Sequence, residues 1–117
     1  MRQSDFTWVS FQQDFNSATT DASRGFKIDG TPVGVGYLLI QQFDVEADTH
    51  RILINGTPLD GFDLARDKTD RVWTTWMDGI PPGVLKRGSN KISILRDPQA
   101  SEFFRIGSVA IHWRENG

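Results

Sequence analysis

Apolar and polar residues change places at every second position along most of this chain, a period of two rather than 3.6. Near the N-terminus, Phe6, Trp8 and Ser10 alternate with Thr7, Val9 and Phe11, which predicts a strand with apolar side chains on both faces. The polar stretch from Asn16 to Arg24 reads as a loop, and Phe26 with Ile28 as a short strand ended by the turn dipeptide Asp29-Gly30. Thr31 to Gly36 is too rich in glycine and proline to predict a regular element. The clearest strand runs from Tyr37 to Val45. Another covers His50 to Ile54, with His50, Ile52 and Ile54 on one face, and Asn55-Gly56 closes it as a type I′ hairpin turn.

The segment from Thr57 to Arg71 is charged and loop-like. Val72 to Met77 predicts a strand that sets Trp73, Thr75 and Met77 opposite Thr74 and Trp76. Asp78 to Gly83 reads as a turn, because neither Pro81 nor Pro82 can donate to a sheet ladder. One helical turn is expected at Val84 to Lys86, then a turn at Gly88-Ser89-Asn90, a strand at Ile92 to Leu95 and a stop at Asp97-Pro98. Two further strands follow, Phe103 to Ile106 and Ser108 to Arg114, the second with Val109, Ile111 and Trp113 on one face. No window keeps helical apolar spacing for three turns. Seven or eight strands about ten residues apart predict an all-β fold, a two-sheet antiparallel sandwich or jelly roll.

The 117 residues suit a single domain over 1–117, and eight Phe with four Trp supply enough bulk for one core. A net charge of −2 gives no general attraction to phosphate backbones, so nucleic acid is not an expected partner. The longest apolar run, Tyr37 to Ile40, is far short of the ~20 residues of a spanning helix, so no membrane role is expected. Without cysteine there is no disulfide framework, thiolate nucleophile or Cys-based zinc site. Met1 to Asp5 lacks the apolar core of a signal peptide, so a full-length chain of this sequence is expected in the cytoplasm or within an assembled particle.

From Tyr37 to Trp113, about two-thirds of the chain, the order of motifs resembles a known family. Ile52-Leu53-Ile54-Asn55-Gly56 matches a strand closed by Asn-Gly. Asp78, Ile80, Leu85, Lys86, Gly88 and Asn90 follow the order of a "D-I-T-x-x-L-K-x-G-x-N" pattern, with a longer spacing before Leu85. Phe104 to Trp113 is similar to the terminal strand. These features resemble the galactose-binding-like jelly roll, as in the sugar-binding domains of family 2 glycoside hydrolases. The resemblance implies a β-sandwich that is a scaffold beside a catalytic barrel in some proteins and binds sugars, cell-surface glycans or proteins in others. It also implies that structural calcium is compatible with the fold.

Catalysis is not expected. The two histidines lie on strands, His50 on an apolar face and His112 beside Trp113, and no local motif brings a nucleophile to either. Four carboxylates, Asp60, Asp63, Asp67 and Asp70, give an oxygen-rich loop of the kind calcium takes, and if calcium is held there its ligands are Asp60, Asp63 and Asp67. Arg66, Lys68 and Arg71 interleave with them, the pattern of a solvated, self-neutralising loop. No other cofactor is expected. Trp73 and Trp76 point to opposite faces, so at most one can enter the core. The outward one, or the strand end near Asp78, offers a ring for stacking on a sugar, with Asp63 and Arg66 to hydrogen-bond its hydroxyls.

The leading expectation is a non-catalytic carbohydrate-binding module. The alternative is a structural or assembly subunit, such as a decoration, adaptor or baseplate-type protein of a phage-like or other large particle. That reading rests on the apolar residues found on both faces of strands such as Phe6 to Phe11 and Tyr37 to Ile40. A second apolar face needs a cover, and a homo-oligomer is one way to provide it.

Overall fold

Alternating side chains give each strand an inward and an outward face, and two such layers closed on each other account for the architecture. The computed structural model describes residues 2–46, 49–59, 72–100 and 103–116. In chain order the strands are β1 (Arg2–Phe15), β2 (Asp21–Ile28), β3 (Pro32–Phe43), β4 (Arg51–Ile54), β5 (Thr57–Pro58), β6 (Trp73–Ile80), β7 (Gly88–Leu95) and β8 (Phe104–Asn116). A front sheet has the order β1-β8-β3-β6 and a back sheet the order β2-β7-β4-β5. Every pairing is antiparallel. The fold is the all-β sandwich that the alternation predicts.

The core lies between the sheets. From the front come Val9, Phe11, Phe15, Leu38, Ile40, Ile80, Phe104, Ile106, Val109, Ile111 and Trp113; from the back come Phe26, Ile28, Ile52, Ile54, Ile92 and Ile94. Each such side chain, fully buried, stabilises the fold by about 1.5–3 kcal/mol. Leu85 closes one end of the sandwich and Leu59 and Val45 are buried with it. At the far end Phe15 stacks on Phe104 at 4.9 Å, and His50 tilts against the same ring at 4.3 Å.

Several boundaries differ from those read along the sequence. The stretch Asp21 to Arg24 is strand, not loop. It is the polar start of the edge strand β2, where Ser23 and Ser93 share a hydrogen bond of 2.8 Å across the sheet. Arg24 reaches across the sandwich edge, donating to the Phe11 carbonyl at 2.7 Å and lying 4.7 Å above the Phe11 ring. Strand β3 begins at Pro32, five residues earlier than expected, because a register shift between Val33 and Tyr37 absorbs the glycines. Strand β6 extends through Asp78 and Gly79 to Ile80, so the turn starts only at Pro81. Pro82 and Gly83 form that turn, no helical turn follows at Val84 to Lys86, and β7 already starts at Gly88. The last two expected strands are one, since Gly107 is accommodated inside β8.

The motif residues act as a clamp. Asn55 and Gly56 take φ of 53° and 78°, the left-handed pair that a type I′ turn needs. Asn55 Nδ2 donates to Asn90 Oδ1 (2.8 Å) and to the Val84 carbonyl (2.9 Å), and its Oδ1 accepts from the Lys91 amide (2.9 Å). Asn90 is buried. Its Oδ1 also accepts from the Lys86 amide (3.0 Å), while its Nδ2 donates to the carbonyls of Lys86 (2.8 Å) and Gly88 (3.1 Å). Two side-chain amides thus hold the β4–β5 hairpin to the loop before β7.

His50 is buried, and its Nδ1 accepts the backbone N–H of Asp97 at 2.9 Å. That is a packing role. Beside it, the Asp97 carboxyl is held below the usual carboxylate range, first by a hydrogen bond with the Thr49 side chain, then by the Gln99 amide, with His50 and Arg96 adding attraction. A depressed folded-state value means stability that is present above the unfolded value near pH 4 and lost as pH falls through the folded one. Asp97→Asn is therefore expected to flatten the loss of stability between about pH 4 and lower pH, measured as the urea midpoint at each pH. An unchanged acid slope would contradict this assignment.

Candidate functional site

The outward face of the front sheet carries the features that the core does not need. Successive cross-strand rows can be read from the register. Phe6, His112, Tyr37 and Gly79 make one row; Trp8, Ala110, Leu39 and Met77 make the next. Beyond them come Ser10, Ser108, Gln41 and Thr75, and then Trp73 beside Phe43 and Gly107. The first two rows are apolar but for His112 and the Tyr37 hydroxyl. The rest form a polar groove against an indole.

Two irregularities shape that groove. Strand β1 shifts register between Ser10 and Gln13, and β3 shifts against β8 between Ile40 and Gln42. Both flank Gly107, and Gln12 takes a left-handed φ of 46° at the first. Bulges bend and twist a sheet and redirect side chains, and here they turn Gln12 and Gln41 toward one another's strand. The missing side chain at Gly107 leaves room for the Trp73 ring. A Cβ placed there would lie 3.2 Å from Trp73 Cζ3 and 3.1 Å from Gln41 Oε1.

Trp73 is 54% exposed, with Phe43 tilted against it at 5.2 Å. Gln12, Gln41, Thr74, Thr75 and Gly107 complete an open groove of about 260 Å³. Gln41 Oε1 accepts from the Ser108 amide at 3.2 Å, and Gln12 Nε2 donates to Ser108 Oγ at 3.4 Å. Those bonds orient both amides and use one end of each. The Gln41 nitrogen and the Gln12 oxygen are left with no partner among the described residues, so the groove offers a donor and an acceptor beside an aromatic face. Below the groove, Arg105 lies 5.9 Å from the Phe43 ring centre and pairs with Asp14 at 2.9 Å, an exposed ion pair of little energetic weight.

The residues predicted as a site separate into three groups. Trp73 faces out, as one of the two tryptophans must. Trp76 is on the opposite face, half-buried against the core. Asp78 follows Trp76 inward rather than sitting at a loop tip, because β6 runs two residues past Met77. It is buried, and its Oδ1 accepts from the Gly79 amide at 2.9 Å. The structure therefore does not bring Asp78 to Trp73. Asp63 and Arg66 lie outside the described residues, and so do Asp60 and Asp67, which with Asp63 form the candidate calcium set. Among the described residues no three metal-ligating side chains cluster. Sequence reasoning missed Gln12, Gln41 and Gly107. A lone glycine inside an alternating strand was the available signal, since it marks a bulge or a close approach.

The same fold recurs in solved structures. Dimeric latent PorU from Porphyromonas gingivalis superposes with a TM-score of 0.68 at 8% identity, over 98% of this chain and 13% of that one. A family 86 β-porphyranase from Bacteroides plebeius gives 0.61 at 17% identity, over 97% of this chain and 20% of that one. A family 35 carbohydrate-binding module from Clostridium thermocellum gives 0.58 at 16% identity, covering 91% of this chain and 90% of the module. This chain thus spans a small fraction of the two large proteins and nearly all of the module. The likeness bears out the galactose-binding-like jelly roll expected from the Asn55-Gly56 and Asn90 motifs. No curated protein matches the sequence. Residues 2–115 do match the model of a family of unknown function, DUF7383, and the chain belongs to that family.

Proposed function

We propose that this chain is a non-catalytic carbohydrate-binding module and that the Trp73 groove is its contact site. The observation that carries the reading is the exposed indole set beside the two oriented amides of Gln12 and Gln41 and the Thr75 hydroxyl. A pyranose has a C–H face, which stacks on an aromatic ring, and a rim of hydroxyls that both donate and accept, which suits paired amides. The fold shared with a carbohydrate-binding module supports the same class. The groove is open and small, so it fits one or two sugar units of a longer chain, held with modest affinity. Both histidines have packing surroundings, which supports a binding role without chemistry.

Titrating the protein with a panel of oligosaccharides while following tryptophan fluorescence tests the proposal. Saturable change is expected with at least one glycan. It should survive Trp8→Phe and be lost with Trp73→Ala. Removing the ring forfeits about 2 kcal/mol of stacking and burial, so affinity should fall about 30-fold. A flat response to every glycan, or undiminished binding by Trp73→Ala, would overturn the assignment.

A further inference from the structure

A groove as small as that beside Trp73 leaves most of a glycan chain to be held elsewhere, and the molecule provides for it on one side. The strand register carries an unbroken row across the front sheet at the edge of the groove: Asp14, Arg105, Phe43 and Trp73. On one side of this row lie Gln12, Gln41 and Gly107 of the groove. On the other, where β1 and β3 end and β8 begins, an open basin of about 760 Å³ is lined by Asn16, Ser17, Ala18, Asp44, Phe103 and Phe104 together with the row itself. Half-buried Phe43 belongs to both sides, since its ring meets Trp73 at 5.2 Å and also lines the basin. We infer, on the reading of the Trp73 groove as a sugar site, that the basin is a second subsite for the same ligand, an extended neutral glycan that leaves the groove over Phe43.

The basin repeats the chemistry of the groove. Its platform is Phe103, which stands 59% exposed just ahead of β8. The guanidinium of buried Arg96 lies 5.7 Å from the centre of that ring and is itself held by the Ala100 carbonyl at 2.7 Å. One side of the ring is thus braced, and the side that lines the basin is open to the C–H face of a sugar.

Polar groups stand around the platform as they do around Trp73. Arg105 Nε donates to Asp14 Oδ1 at 2.9 Å, which leaves the two Nη groups and Asp14 Oδ2 without a hydrogen-bond partner among the described residues. Asn16 Oδ1 accepts from the amides of Ala18 and Thr19 at 2.8 and 2.9 Å, which fixes that side chain and leaves its Nδ2 to donate. Donors beside an acceptor suit hydroxyls, which need both. The charges decide the class of sugar. Among the described residues lining the basin, one cation, Arg105, faces two carboxylates, Asp14 and Asp44. A uronate or sulfate there would meet a cation already paired and a second carboxylate that repels it. Uncharged units fit without that cost.

Isothermal titration calorimetry of the full chain with gluco-, manno- and galacto-oligosaccharides, each from dimer to hexamer, tests this. In a series that binds, the longest members are expected to bind about tenfold more tightly than the dimer, the return of one further stacked unit tethered to the first. Phe103→Ala should remove that gain and leave dimer binding unchanged. Ala18→Trp, which fills the basin from an exposed position, should do the same, and both variants should melt like the wild type. Trp73→Ala should weaken every length. Galacturonate oligomers should gain nothing from length, and a tenfold gain with them would overturn the neutral class. Dimer binding with no gain on lengthening, or a gain that survives both Phe103→Ala and Ala18→Trp, would overturn the second subsite and leave the groove standing. No binding at any length would overturn both.

Discussion

Replacing Asn90 with alanine is expected to destabilise the fold by about 3–4 kcal/mol, because four hydrogen-bonding groups lose their partner at once. The Lys86 amide, the Lys86 and Gly88 carbonyls and the Asn55 amide nitrogen all converge on that one side chain. Asn90 is 4% exposed, so water has little access to replace it. Against a total stability of about 5–15 kcal/mol, such a loss lowers the melting temperature by about 10–20 °C. Asn90→Asp separates geometry from charge. A carboxylate keeps both acceptor contacts but faces the two carbonyls that now accept from Nδ2. It should be almost as destabilising at pH 7 and should recover in part on acidification, because protonation returns a donor. Thermal melts followed by circular dichroism, at pH 7 and near pH 5, decide the point. An Asn90→Ala melt within about 3 °C of wild type would mean that the clamp contributes little.

The two asparagines also show which parts of the fold could be read from the sequence. Asn55-Gly56 announces its own conformation, because few dipeptides take two successive left-handed residues. Alternation in β1, β3, β6 and β8 is equally local, and it placed Trp73 and Trp76 on opposite faces. Local pattern fails where the deciding partner is distant. Asp21 to Arg24 looks like loop because an edge strand at the sandwich rim buries little. Its support comes from Ser93 and Phe11, at separations of 70 and 13 residues. Pro32 to Gly36 looks irregular and is irregular, yet β8 still pairs with it on both sides of the register shift. The reach of β6 to Ile80 was hidden by the expectation that Asp-Gly turns. Pairing of Gly79 with Tyr37 keeps it extended, and that pairing decides that Asp78 faces inward.

The groove itself was only half visible. Trp73 could be proposed from its place on the strand. The polar groups beside it come from β1 and β3, and two bulges around Gly107 bring them together. Neither bulge is written in any short window, since each is a mismatch between strands far apart in the chain. Asp63 and Arg66, the polar partners expected from the nearest charged loop, lie outside the described residues.

Gly36→Ala is expected to cost about 3 kcal/mol, whereas Gly107→Ala should cost little and instead alter the groove. Both glycines mark close approaches between strands, but what they approach differs. A Cβ at Gly36 would sit 2.6 Å from the His112 carbonyl oxygen and 3.4 Å from Leu85 Cδ1. The first of these is backbone, held in the β3–β8 ladder, and cannot move without shifting Tyr37 and the Leu85 plug. At Gly107 the near atoms are the ends of the Trp73 and Gln41 side chains, at 3.2 and 3.1 Å, which can yield by a few tenths of an ångström. Denaturant unfolding should therefore show a large fall in midpoint for Gly36→Ala and almost none for Gly107→Ala. The quenching of Trp73 fluorescence by iodide should change only in the second. Equal stability losses would mean that the Trp73 ring is as firmly held as backbone. A rigid indole over Gly107 would then bind its ligand as a preformed platform rather than by adjusting to it.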